Sequence, residues 1–168
     1  MSSTAPPGFA ELYERHYEAV FRTALRVTGN AADAEDVLQT VFLRALARRD
    51  EVDGALPALA AGSALTGAYF RRAAVNAAVD VLRRRQIRAA SVYDDQAPHA
   101  AVEPHVLLKE QLRRAIAALD TDDATLFLLR HVEGLTNEEL AEMFDIEKGN
   151  VAVRLHRIRQ RLQAEMER

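Results

Sequence analysis

The sequence predicts an all-α protein of two small helical domains joined by a flexible linker, the C-terminal one containing a helix-turn-helix. Three observations carry this. Ala, Leu, Arg and Glu dominate, aromatic residues make up only 6% and Trp is absent, a composition that favours helix over sheet. Apolar residues recur at spacings of three and four through most of the chain, and no run alternates as a strand would. The periodicity then lapses over 89–105, where Asp94-Asp95, Pro98 and Pro104 follow a run of small residues. The chain's 168 residues suffice for one ordinary domain or two small ones. Hydrophobic content of 49% with 28% charged marks a globular chain rather than a disordered one.

Met1 to Gly8 are small and polar with two prolines and are expected to be disordered. From Phe9 onward, Phe9, Leu12, Tyr13, His16, Val20, Ala24 and Val27 form one helix face, and Gly29-Asn30 stops it. A second helix is expected from about Ala32 to Arg48. Asp33, Glu35 and Asp36 lie in its first turn, where negative charge suits the helix dipole, and Val37, Leu38, Val41, Phe42, Ala45 and Leu46 are its apolar side. Gly54, Pro57, Gly62 and Gly67 then break the pattern, so residues 50–67 read as an irregular loop with room for a short helix. A third helix follows from about Thr66 to Arg85. Its expected stripe is Tyr69, Ala73, Asn76, Ala77, Asp80 and Val81, flanked by Phe70, Ala74 and Val75. Beyond the linker, helices are expected at about 107–119, 122–132, 136–144 and 147–166. The domains therefore span 9–88 and 106–168.

Net charge is −3, but its distribution is uneven. Residues 71–88 hold Arg71, Arg72, Arg83, Arg84, Arg85 and Arg88 against the single acid Asp80. Residues 154–161 hold four arginines and no acid, whereas 120–147 hold nine acids against Arg130 alone. Two basic patches on an acidic background suit a protein that meets both DNA and a protein partner. They equally suit solvated helix ends near C-terminal dipoles. The absence of Cys excludes disulfides, thiol catalysis and cysteine–zinc sites. No apolar run approaches the ~18–20 residues of a membrane-spanning helix, and the N-terminus lacks the charged and apolar regions of a signal peptide. A cytoplasmic protein with no membrane insertion is expected. His16, His99, His105, His131 and His156 show no metal-ligand spacing, and no nucleophile motif or glycine-rich phosphate loop is present. No cofactor, metal or catalytic residue is expected, and an enzyme is the least favoured class.

Residues 135–161 carry the sharpest local pattern. Thr136 and Glu139 are spaced as a capping box, with Leu135 and Leu140 as its hydrophobic staple, so a helix should run from Asn137 to about Phe144. Asp145 tolerates a tight turn, Ala141 is small enough for a close crossing, and Ile146 and Val151 can pack two helices together. A second helix from about Lys148 ends among arginines. This is a helix-turn-helix pattern, whose second helix enters the major groove. The alternative is an ordinary helical hairpin with a basic exposed face.

At these residues a family resemblance appears. The stretch Leu126-Phe127-Leu128-Leu129-Arg130-His131-Val132-Glu133-Gly134-Leu135-Thr136-Asn137-Glu138-Glu139-Leu140-Ala141 resembles the start of the promoter-reading domain of extracytoplasmic-function sigma factors, of the sigma-70 family. Val151 with Arg154-Leu155-His156-Arg157-Ile158-Arg159 resembles that domain's recognition helix. Ala34 to Ala45 resembles the family's polymerase-binding helix, and Tyr69 to Arg85 the helix that melts and reads the upstream edge of the transcription bubble.

The resemblance implies a sigma factor that binds core RNA polymerase through Asp36, Gln39, Thr40 and Phe42, docked on a coiled coil of the largest subunit. It implies promoter contacts by Arg71, Arg72, Asn76, Asp80, Arg83 and Arg84 at the minus-ten element. At the minus-thirty-five element it implies contacts by Val153, Arg154, His156 and Arg157. An anti-sigma factor is implied as a further partner. Residues 50–67 occupy the place of the family's specificity loop. The linker would lie in the RNA exit path, where Asp94 and Asp95 either mimic nucleic-acid charge or serve only solubility.

By residue type, Phe70 and Tyr69 are either core or base-stacking groups, and Asn76 and Asp80, four apart, either bond locally or meet DNA. Some positions depart from the family pattern. Glu147 stands where a Ser usually caps the recognition helix, and Asn150, Ala152 and Val153 replace the usual Thr, a basic residue and a Ser. Thr40, Tyr69 and Val75 also replace the family's usual Glu, Trp and Arg. Two other readings follow: a stand-alone helix-turn-helix regulator, and a sigma-like decoy with weakened promoter reading.

Overall fold

The computed structural model describes residues 8–51, 63–91 and 103–168. Among them are seven helices: α1 (Phe9–Thr28), α2 (Ala31–Glu51), α3 (Ser63–Ser91), α4 (Pro104–Ala117), α5 (Thr121–His131), α6 (Asn137–Phe144) and α7 (Lys148–Met166). The fold is all-α, as expected. Residues 1–7, 52–62 and 92–102 lie outside the described residues, and with them most of the expected loop, most of the expected linker, and the expected disordered N-terminus. The helix expected from about Thr66 to Arg85 begins at Ser63 and ends at Ser91. By packing, the chain divides into two units, 1–77 and 78–168.

In the first unit, Gly29 ends α1 in the left-handed region at φ 69°, and its N–H returns to the Leu25 carbonyl at 2.8 Å. Glycine takes this conformation without a Cβ penalty. The next residue starts α2: the Asn30 side chain accepts from the Asp33 N–H at 3.1 Å, an N-cap that satisfies one of the first orphan donors. So short a joint sets α1 and α2 side by side, burying Val20, Ala24 and Val27 of one and Ala34, Val37 and Val41 of the other.

Phe42 is the hub of the aromatic end of this unit. Its ring lies 4.7 Å from Tyr13, 5.2 Å from Phe70 and 6.2 Å, edge-on, from Phe9, and it is 4% exposed. His16 stacks on Phe70 at 4.5 Å, and its Nε2 is buried without a hydrogen-bond partner. Burial, then the Arg15 charge, lower the His16 pKa from its ordinary value.

The stripe expected on α3 is displaced. Phe70, Ala74, Val75, Ala77, Ala78, Val79, Val81 and Leu82 are buried, whereas Tyr69, Ala73, Asn76 and Asp80 are only half-buried. Phe70, Ala74 and Val75, expected as flanks, are core. Burial on adjacent positions means that α3 is covered on more than one side, so no single stripe describes it.

The second unit contains the C-terminal part of α3 and α4 to α7. Pro104 opens α4, where its missing N–H costs nothing. Asp120 caps α5 by accepting from the Asp123 N–H at 3.0 Å. Gly134, at φ 71°, lets the chain turn so that the Leu135 N–H returns to the Leu129 carbonyl at 3.1 Å. The capping box is formed: Glu139 N–H donates to the Thr136 hydroxyl at 3.2 Å and Thr136 N–H donates to the Glu139 carboxylate at 2.7 Å. Leu135 and Leu140 are both buried beneath it. Asp145, at φ 52° and ψ 49°, makes the turn, and the Ile146 N–H closes it on the Ala141 carbonyl at 3.0 Å. The helix-turn-helix of α6 and α7 is thereby set within three connecting residues.

Replacing the hub ring tests this packing. Phe42→Ala is expected to destabilise the first unit by about 3–5 kcal/mol in urea unfolding, while Gln39→Ala, at an exposed position of the same helix, should stay within ~0.5 kcal/mol of wild type. Equal effects of the two substitutions would contradict the placement of Phe42 in the core.

Candidate nucleic-acid and polymerase interfaces

Helix α7 is seated by Val151, Leu155, Ile158 and Leu162, all buried and spaced four, three and four apart. That stripe fixes the helix's rotation. Ala152, Val153, His156 and Arg157 consequently face solvent, and Val153 is 50% exposed. Glu147 precedes the helix with no side-chain capping bond, so the first turn keeps its amides uncapped from that side. Lys148 pairs with Glu138 and joins the starts of the two helices. That hydrogen bond is the leading cause holding the Glu138 carboxyl below its ordinary pKa.

Arg154 is placed differently from its neighbours. Its Nε donates to the Asp123 carboxylate at 2.6 Å, and Arg161 Nη1 reaches the other oxygen of the same carboxylate at 3.0 Å. Arg161 also lies 3.5 Å from Asp120. Asp123 is 8% exposed, so the pair with Arg154 is partly withdrawn from water. Charge-assisted bonds in such a setting are short and strong, and in the free chain Arg154 is engaged by Asp123. The sequence places Asp122 and Asp123 at a helix start and gives no sign of this link, because its partner is 31 residues away.

Burial would raise the Asp120 carboxyl, but its hydrogen bonding to Asp123 and the charges of Arg154 and Arg161 outweigh that and lower its pKa. His131 stacks against Phe127 at 4.4 Å. Burial, then Arg159 and Arg130, lower its pKa, so it is neutral near pH 7.

On α3, Arg71 and Arg84 are exposed, and Arg72, Asn76 and Asp80 are half-buried. Arg83 is engaged within the second unit. It donates from Nη2 to the Leu119 carbonyl at 2.6 Å, from Nη1 to the Thr121 hydroxyl at 2.7 Å, and from Nε to the Ala117 carbonyl at 3.3 Å. Gln86 adds a bond to the Arg114 carbonyl at 2.8 Å. Together they satisfy acceptors at the C-terminal end of α4, where a helix leaves carbonyls unpaired and favours positive charge. Arg83 thus gives one N–H of each guanidinium nitrogen to a protein acceptor.

On α2, Asp36 and Gln39 are exposed, Thr40 is half-buried, and Phe42 belongs to the core. Leu43, 65% exposed, continues the ridge at the i, i+3, i+4, i+7 spacing from Asp36. Sequence reasoning missed Leu43; the signal available was its position seven residues after Asp36. Among the described residues no group of three His, Cys, Asp or Glu is placed to hold a metal ion, and no helix is long and apolar enough to cross a membrane.

This arrangement matches known proteins over most of the chain. Residues 12–88 match the family described as Sigma-70 region 2, and residues 109–162 match Sigma-70, region 4. The ECF RNA polymerase sigma factor SigL of Mycobacterium tuberculosis is 30% identical over 151 residues, covering 86% of this chain and 81% of SigL. The ECF RNA polymerase sigma factor SigE of Mycolicibacterium smegmatis is also 30% identical, over 166 residues, covering 94% of this chain; the chain spans 61% of that protein's length. The RNA polymerase sigma-E factor of Streptomyces avermitilis is 29% identical over 164 residues, with 95% and 85% covered. The chain belongs to the sigma-70 family, among its extracytoplasmic-function sigma factors.

The acid limb of stability should report the charge network. Because the folded Asp120 pKa is depressed, its contribution is present above the ordinary aspartate value of about 4 and is lost as pH falls from there through the lower folded value. The stability gap between wild type and Asp120→Asn is expected to shrink as urea unfolding is taken from pH 7 into that window. A gap independent of pH would contradict the assignment.

Proposed function

We propose that this chain acts as an alternative sigma factor: it binds core RNA polymerase, directs it to promoters and assists strand opening. The observation that carries the reading is the pairing of a region 2 match and a region 4 match in one chain, in that order. The chain performs no chemistry itself. Binding free energy is used for promoter recognition and strand separation, and the protein works in the cytoplasm where polymerase and DNA are.

In this reading Asp36, Gln39 and Thr40 form the polymerase-facing ridge of α2, with Leu43 as its apolar member and Phe42 as the support beneath it. A coiled coil of the largest subunit is the docking partner. The duplex minus-thirty-five element meets α7 through Val153, His156 and Arg157, where apolar contact with thymine methyls suits Val153 and phosphate or guanine contact suits Arg157. The non-template strand of the minus-ten element meets α3 through Arg71, Arg72, Asn76, Asp80 and Arg84, cations for phosphates beside polar groups for base edges. Arg83 joins them only when its fork leaves the α4 carbonyls. An anti-sigma factor that restrains the chain is the further partner.

Reconstituted transcription tests the reading. With purified chain, bacterial core polymerase and a fragment library of host DNA, discrete transcripts are expected only when both proteins are present. Polymerase binding without transcripts would favour a decoy. No polymerase binding, with a control sigma factor active, would favour a stand-alone regulator and overturn the reading. Recovery of polymerase but no small regulatory protein from the native host would count against the anti-sigma partner.

A further inference from the structure

Asp123 sits at the foot of α5, yet both of its carboxylate oxygens are spent on α7. One accepts from Arg154 Nε at 2.6 Å and the other from Arg161 Nη1 at 3.0 Å. Arg154 and Arg161 are seven residues apart on one face of the helix, with Arg157 between them on the same side. Arg157 makes no ion pair among the described residues, is exposed, and with Val153 and Asn150 lines the same depression as Asp120 and Asp123. The stripe Asn150, Arg154, Arg157, Arg161 would otherwise offer three cations to a phosphate backbone.

We propose that Asp123 is a positioning residue of duplex binding, holding Arg154 and Arg161 off the phosphates so that the charge-driven, sequence-independent part of binding by α7 is kept low. The inference rests on the reading that α7 faces the duplex. It follows from the geometry. The Asp123 carboxylate is buried and accepts from both arginines at once, so the pair is held on α5 rather than turned to a solvent-exposed phosphate. Phosphate contacts supply the sequence-independent part of duplex affinity, and that is the part Asp123 lowers. It acts through the arginines and touches no DNA itself, so it is a positioning residue.

The test is binding of the full chain to a 30-bp duplex of arbitrary sequence, followed by fluorescence anisotropy from about 20 to 200 mM salt, a range chosen because phosphate contacts dominate there. Wild type is expected to bind weakly with a shallow salt dependence. Asp123→Asn is expected to bind about 5- to 25-fold more tightly near 0.15 M salt and to steepen the slope of log K against log salt by about one to two, roughly 0.9 for each arginine released. Asp123→Glu, which keeps the charge, should restore a slope close to wild type. A slope for Asp123→Asn equal to wild type, weaker binding by that variant, or no binding by either protein would overturn the proposal.

Should Asp123→Asn fail to fold, arginine modification of the wild-type chain by phenylglyoxal, read by mass spectrometry, decides the matter. Arg157 should react readily and be protected by duplex, while Arg154 reacts slowly with and without it. Duplex protection of Arg154 would overturn the proposal. Neither assay involves polymerase, so a failed transcription experiment and a failed clasp are told apart.

Discussion

The burial of Val151, Leu155, Ile158 and Leu162 in one stripe is the constraint from which the C-terminal unit's function follows. Four large apolar groups at helical spacing leave α7 a single rotation, because turning the helix by one residue would expose them and bury arginines. Once the rotation is set, Val153, His156 and Arg157 must face outward, and Arg154 and Arg161 must face the start of α5. The capping box at Thr136 and the left-handed Asp145 then fix where α7 begins relative to α6. The outward face of α7 is a by-product of core packing, and its chemistry is decided by what the adjacent helix offers to the arginines that packing turns inward.

The N-terminal unit obeys the same division of labour. Phe42 ties Phe9, Tyr13 and Phe70 into one aromatic cluster, and this holds α2 with Asp36, Gln39 and Leu43 on its free side. A helix that must dock on a partner needs a firm back and an open front. Here the back is aromatic and the front is mixed: a carboxylate, an amide and one exposed leucine. Such a face suits an interface with a polar rim around a small apolar centre.

Much of this was legible in the sequence, and the parts that were not have a common cause. Helix starts and stops were local: Gly29, Asn30, Thr136, Glu139 and Asp145 each act within a few residues, and each stands where the pattern placed it. The family was legible for the same reason, through short runs such as Ala34 to Ala45. The phase of α3 was not, because burial on adjacent positions leaves no single apolar stripe to mark its orientation. The burial of Phe42 against Phe70 is not legible either, because its position on α2 says nothing about a ring that comes from another helix. The engagement of Arg83 with Leu119 and of Arg154 with Asp123 spans 36 and 31 residues, and no spacing rule reaches that far. Basic patches in a sequence count charges; only packing tells which of them are already satisfied.

Whether α2 presents this chain to core polymerase is decided by crosslinking from its exposed apolar position, Leu43. A photoreactive residue placed at Leu43 of the full chain, mixed with core polymerase and illuminated, is expected to give a covalent adduct with the largest subunit. The adduct should be lost when unlabelled wild-type chain competes. Absence of any polymerase adduct, under conditions where a control sigma factor labelled on its own polymerase-binding helix forms one, would contradict the account.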